Sequence, residues 1–176
     1  MDNNKIKNKI MVFDDIVDVE YQEKIKNTLM ENDFAWYYIS DITNPYVNKQ
    51  QRPGFQHNFV LEKGEVNSPH HDLLINLIKS CCYKINVDKV NVIKGRSFMQ
   101  LPLNLKNYDV DMPHIDTELE HFVIIYYVID SDGDTIIYNE QTKGDSYTIK
   151  ESITPKQGRV VMFDGRYYHT AKQPIN

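Results

Sequence analysis

His114, Asp116 and His169 are the residues of this chain whose types and spacing could do chemistry. His114-Ile115-Asp116 lies in a stretch that reads as extended. Side chains at i and i+2 of a strand leave the same face, so an imidazole and a carboxylate can be offered to one point. His169, fifty-three residues beyond Asp116 and also in a strand-like stretch, can supply a third donor. Two neutral imidazoles and one carboxylate grip a metal from one side and leave the opposite positions open. That donor pattern suits non-haem Fe(II) chemistry with dioxygen.

An HxD tripeptide alone is common, and its surroundings carry more weight. The chain presents Pro113-His114-Ile115-Asp116, then the apolar run Phe122-Val123-Ile124-Ile125-Tyr126-Tyr127-Val128. Asp132-Gly133-Asp134-Thr135-Ile136-Ile137-Tyr138 comes next. Ile153-Thr154-Pro155-Lys156-Gln157-Gly158-Arg159-Val160-Val161-Met162-Phe163 follows, and His169 closes the series. In this order the features resemble the 2-oxoglutarate/Fe(II)-dependent dioxygenases, particularly the prolyl-4-hydroxylase-like branch, over about Arg96 to Pro174.

The resemblance implies a mainly β fold with N-terminal helices (α+β), a double-stranded β-helix or jelly-roll. It implies one domain over 1–176, with 1–87 a helical support region and 88–176 the jelly-roll core. His114, Asp116 and His169 become the expected Fe(II) ligands and catalytic set, with 2-oxoglutarate and O2 as co-substrates and ascorbate as an accessory reductant. Oxidative decarboxylation of 2-oxoglutarate would give succinate and CO2 and drive hydroxylation of a peptidyl residue, a free amino acid or another small metabolite. A carboxylate at Asp116 disfavours halogenation, since related halogenases carry a small residue there.

One part of the family pattern is missing. An Arg or Lys about ten residues after the distal His normally anchors the far carboxylate of 2-oxoglutarate, a task that suits a guanidinium fork. Only seven residues follow His169, so the expectation is a jelly-roll that lacks its last strand, in a fragment of a longer protein. Otherwise Lys172, Arg96 or Arg159 takes the anchor's place. A missing strand would leave an open sheet edge, which a second copy of the chain could pair with.

Co-substrate candidates are Tyr126, Tyr127, Thr135 and Lys172. Tyr126 and Tyr127 point to opposite faces of one strand, so one of them reaches the cavity. Arg96 and Gln100 share a strand face, from which they either reach the cavity or, as the favoured reading, lie at an exposed edge. His57, His70, His71 and His121 read as surface or packing histidines, and Asp111, Glu118 and Glu120 as solvated loop charges. Trp36 and the loop at 46–57 are candidates for a substrate lid, because loops on a rigid scaffold commonly carry specificity.

The elements that must position these residues follow from pattern. Tyr21, Ile25, Leu29 and Met30 recur at helical spacing over Val19–Asn32, and Leu73, Leu74, Leu77, Ile78 and Cys81 over His70–Ile85. Ser68 suits the cap of the second helix, with Pro69 at its first position. Met11–Asp15 and Phe34–Ile39 read as strands, and 41–56 as a long loop. After Val87 the expected strands are Val90–Leu101, Phe122–Ile129, Thr135–Tyr138, Tyr147–Ile149, Arg159–Phe163 and Tyr167–Lys172.

Composition closes off other classes. The 25 acidic and 20 basic residues leave a net charge of −5, and no dense basic stripe favours nucleic acid. Cys81 and Cys82 are adjacent, a poor arrangement for a disulfide and no metal spacing, which fits a reducing compartment. The polar N-terminus lacks a signal-peptide core and no apolar run suits a membrane span, so the expected location is the cytoplasm. The functional alternative is a non-catalytic jelly-roll binding module that keeps the metal ligands. A cupin-type enzyme ranks last, because its clustered His and Glu pattern is absent.

Overall fold

Val160-Val161-Met162-Phe163 is apolar at every position because both faces of its strand are covered. In the computed structural model, which describes residues 6–42, 52–103 and 110–175, this run forms β8 (Val160–Asp164). It sits between β1 (Ile10–Phe13) and β5 (Phe122–Tyr126), antiparallel to each. Val160 and Met162 face a cluster with Val17, Leu77 and Cys81 on the helical side. Val161 and Phe163 face the other way, onto Ile137, Ile153 and Tyr127. The period-2 alternation of a strand thus separates two cores.

The second core lies between this sheet and a sheet of order β7 (Ile149–Ile153), β6 (Thr135–Tyr138), β9 (His169–Ala171). Beyond β9 the segment 110–114 continues the pairing through isolated bridges, Val110 with Lys172 and His114 with His169. A third sheet has the order β2 (Tyr37–Ile39), β3 (Gly54–Val60), β4 (Gly95–Met99). It packs through Phe59 and Val60 against Ile25 and Leu29 of α1 (Val19–Met30) and Leu73 and Leu74 of α2 (His71–Lys84). The arrangement is a β sandwich with helices on its outer face, consistent with a jelly-roll. Among the described residues no helix is long and apolar enough to cross a membrane.

Local chemistry explains the element ends. Asp18 caps α1, its carboxylate accepting the Tyr21 N–H at 2.7 Å. Gln22 is buried and donates to Asp15 Oδ1 and to the Val17 carbonyl. Its amide backs onto Gly158, which adopts φ +81° in the turn ahead of β8, where a Cβ would collide with it.

Several expectations are corrected. The end of the expected loop, residues 54–56, opens β3, which runs to Val60, so the N-terminal half contributes three strands as well as two helices. Tyr147 precedes β7, which runs from Ile149 to Ile153. Met30 lies on the exposed side of α1. α2 starts at His71 and carries no side-chain cap. Ser68 instead accepts the His70 N–H at 3.1 Å and donates its hydroxyl to His57 Nε2 at 2.7 Å. His57 Nδ1 donates to the Ala35 carbonyl, so this buried histidine is fully used in packing. Cys81 and Cys82 are free and buried, and burial pushes the Cys81 thiol up to about 12.

Candidate metal centre

His114 and His169 face each other across one rung of antiparallel pairing. The His114 N–H donates to the His169 carbonyl at 3.0 Å, and the His169 N–H returns the bond at 2.9 Å. Residues directly opposite in such a pair send their side chains to the same face. The two rings accordingly lie 4.6 Å apart. Asp116, two residues along, brings its carboxylate to the same place. One ligand atom from each of the three lies within 4.8 Å of the others. His169 is buried, His114 half-buried and Asp116 at the exposed rim.

Both imidazoles are oriented by the backbone. His114 Nδ1 lies 3.1 Å from the Met112 carbonyl and His169 Nδ1 lies 3.2 Å from the Tyr167 carbonyl. A carbonyl can only accept, so each Nδ1 carries the proton and each Nε2 keeps its lone pair. Such a bond to the non-ligating nitrogen fixes the tautomer a metal requires. Phe163, from the opposite sheet, packs edge-on against His169 at 5.1 Å.

The protonation states suit the same purpose. Burial, reinforced by neighbouring His114, pushes His169 down to about 4 against the pull of Asp116. For Asp116, desolvation works to raise the carboxyl, but His169, Arg96 and His114 together hold it below its ordinary value. At neutral pH His169 is therefore a neutral imidazole and Asp116 a carboxylate. Among the described residues this is the group of three His, Cys, Asp or Glu side chains that could hold a metal. A tautomer-fixed nitrogen pair beside an ionised oxygen fits a divalent transition metal such as Fe(II).

Register places the two tyrosines on opposite faces. Tyr127 shares the sandwich interior with Ile137, Val161 and Phe163, and its hydroxyl donates to Thr135 Oγ1 at 2.7 Å. Burial pushes the Tyr127 phenol up to about 12, so it stays a hydrogen-bond donor. Tyr126 lies on the opposite face, packed toward Val160, Met162 and Tyr21, away from the sandwich interior. Lys172 lies past the end of β9, its N–H bound to the Asp134 carbonyl at 2.7 Å. Arg159 is committed elsewhere, with Nε 2.7 Å from Asp14 Oδ1 and Nη1 2.9 Å from the Thr154 carbonyl.

Three residues have surroundings their sequence context did not suggest. Arg96, read as an edge residue, donates from Nη2 to Asp116 Oδ1 at 3.1 Å. Asp111, read as a solvated charge, is buried and ion-paired with Arg52, itself 0% exposed. Burial lowers Arg52 to about 10, against the favourable charge of Asp41. Thr170 also donates to the Asp111 carbonyl at 2.6 Å, so this pair ties the chain ahead of β3 to the segment carrying His114. Of the expected lid, residues 46–51 lie outside the described residues, and 54–57 belong to β3. Trp36 donates from Nε1 to the Leu29 carbonyl at 3.0 Å and packs against the cluster of Ile25, Leu29 and Phe59.

No protein-family model and no curated protein sequence matches the chain. Solved structures do match in fold. A prolyl hydroxylase from Trichoplax adhaerens, in complex with a hypoxia inducible factor oxygen degradation domain peptide fragment, is similar with a TM-score of 0.63 at 12% identity. That match covers 98% of this chain and 83% of the hydroxylase. An oxidoreductase of the 2OG-Fe(II) oxygenase family from Burkholderia pseudomallei gives a TM-score of 0.64 at 11% identity, covering 98% of this chain and 82% of that one. The chain thus shares its fold with 2OG-Fe(II) oxygenases, a prolyl hydroxylase among them.

Proposed function

We propose that this protein is an Fe(II)- and 2-oxoglutarate-dependent dioxygenase that hydroxylates a peptidyl residue, a free amino acid or a small metabolite. The observation that carries the reading is the convergence of His114, Asp116 and His169 within 4.8 Å, with both histidines held in the ligating tautomer. These three residues would hold Fe(II). Bound there, the metal would supply the redox chemistry that couples oxidative decarboxylation of the 2-oxo acid by O2 to hydroxylation. The fold shared with a prolyl hydroxylase solved with a peptide supports a peptidyl substrate over the others.

The remaining roles belong to the chain's own side chains. Tyr127 and Thr135, hydrogen-bonded to each other inside the sandwich, are the donors we assign to the co-substrate's far carboxylate, with Lys172, one residue past Thr135's strand partner Ala171, as the cation. Tyr127 serves because its phenol keeps its proton at neutral pH. Phe163 and Ile137 wall the interior with apolar surface, and exclusion of water strengthens polar contacts made there. Tyr126, on the other face, takes no part.

Anaerobic addition of Fe(II) and 2-oxoglutarate to the full chain tests the reading. A weak visible charge-transfer band is expected, lost in His114→Ala and Asp116→Ala, with succinate formed on admission of O2 and ascorbate. Metal uptake without that band would point to a metal-retaining binding module and overturn the oxygenase assignment.

A further inference from the structure

The two carboxylate oxygens of Asp116 face different partners. Oδ2 lies 3.6 Å from His169 Nε2, on the side where the imidazole lone pairs converge. Oδ1 accepts from Arg96 Nη2 at 3.1 Å. Arg96 reaches across from β4, a strand of the third sheet, and its guanidinium lies over the Phe98 ring, 4.6 Å from the centroid. Both members of the ion pair are partly open to solvent, each side chain 29% exposed.

Resting on the metal-centre reading above, we propose that Arg96 is a positioning residue that reserves Oδ1 and so limits Asp116 to a single oxygen, Oδ2, toward the metal. A free carboxylate can ligate through one oxygen or both. A second oxygen would take up one of the open positions that a chelating 2-oxo acid and dioxygen together require. A guanidinium suits the task because it is planar, always charged and weakly hydrated, and Phe98 supports its plane. An ion pair this exposed adds little to folding. Its consequence is orientation, which separates this role from a merely structural one.

The test uses Co(II) as the probe, added to the full chain and followed by calorimetry and by the visible d–d spectrum. Wild type is expected to take up one Co(II), and His114→Ala to lose it. Arg96→Met, which frees Oδ1 to ligate and removes a positive charge beside the site, is expected to bind Co(II) several-fold more tightly. Its d–d band is expected to shift and lose intensity as the released oxygen adds to the coordination shell. Arg96→Lys, which keeps the charge without the fork, falls between the two, with a melting midpoint close to wild type. Phe98→Ala leaves the guanidinium but removes its support, and is expected to change affinity and spectrum in the same direction by less. It carries the test if Arg96→Met does not fold. Wild-type affinity and spectrum in the folded Arg96 variants would overturn the inference and leave the metal centre standing. Absent Co(II) uptake in wild type, or uptake unchanged in His114→Ala, would overturn the metal centre itself.

Discussion

Met112 and Tyr167 lend the candidate metal centre their backbone carbonyls, and those two acceptors decide which nitrogen each histidine offers. The side chains that could hold a metal were legible in the sequence; the groups that orient them were not. HxD and a distal His advertise themselves by type and spacing, whereas a carbonyl two residues upstream is present everywhere. Arg96 and Asp111 were misread for a related reason. Each becomes informative only when a partner distant in sequence, Asp116 or Arg52, is brought beside it. Tyr127 carries a prediction at this scale. Tyr127→Phe removes one buried hydrogen bond and the proposed donor to the co-substrate. We expect the KM for 2-oxoglutarate to rise roughly five- to tenfold, with a smaller change in kcat, measured by succinate formation. An unchanged KM would remove Tyr127 from the co-substrate site.

Among the elements, those with a strong apolar period were readable and those with mixed composition were not. β8 and the two helices announce themselves because each buries a regular apolar face. The start of β3, Gly54–Gln56, reads as loop because it follows Arg52-Pro53, a turn signal that ends the loop too late. His57, polar in type, is satisfied inside the core by Ala35 and Ser68. The choice between Tyr126 and Tyr127 likewise needed the pairing of β5 with β8, a register no single strand encodes. The turn before β8 offers a direct test of how elements are joined. Gly158 has φ +81°, and a Cβ there would strike the Gln22 amide, already bound to Asp15 and Val17. Gly158→Ala is expected to cost about 1–2 kcal/mol in backbone conformation alone. Thermal unfolding would then show a midpoint lower by roughly 3–8 °C. An unshifted midpoint would mean that the turn relaxes freely.

At the scale of the whole molecule, stability against acid rests on carboxylates with fixed partners. Asp164, at the end of β8, accepts from Arg166 and from the Asn8 N–H, latching the N-terminal lead to the central sheet. The Arg166 hydrogen bonds come first among the causes that lower its carboxyl, outweighing burial, and bring it from 3.8 to about 2. A depressed carboxyl stabilises the fold fully above its ordinary value. That contribution fades as pH falls from about 3.8 toward 2. Because Arg166 is partly solvated, we take the contribution to be on the order of 1 kcal/mol. Asp164→Asn is expected to lose it at neutral pH and to show a flatter fall in denaturation midpoint between about pH 4 and pH 2. Parallel curves for wild type and variant would contradict the assignment.

The shared rung of His114 and His169 has a bearing on how such a chain can change over time. Both imidazoles hang from one hydrogen-bonded pair, so their relation does not depend on the number of residues between them. Connections in that interval can lengthen or shorten at small entropic expense, since loop closure grows only slowly with length. An insertion at 114–116 or 167–169 is different, because one residue turns a ligand to the other side of the sheet. Mutational drift is therefore free to erase nearly every other identity while sparing two short stretches. A chain that retains this fold at 11–12% identity to its structural neighbours has the pattern such selective latitude would leave.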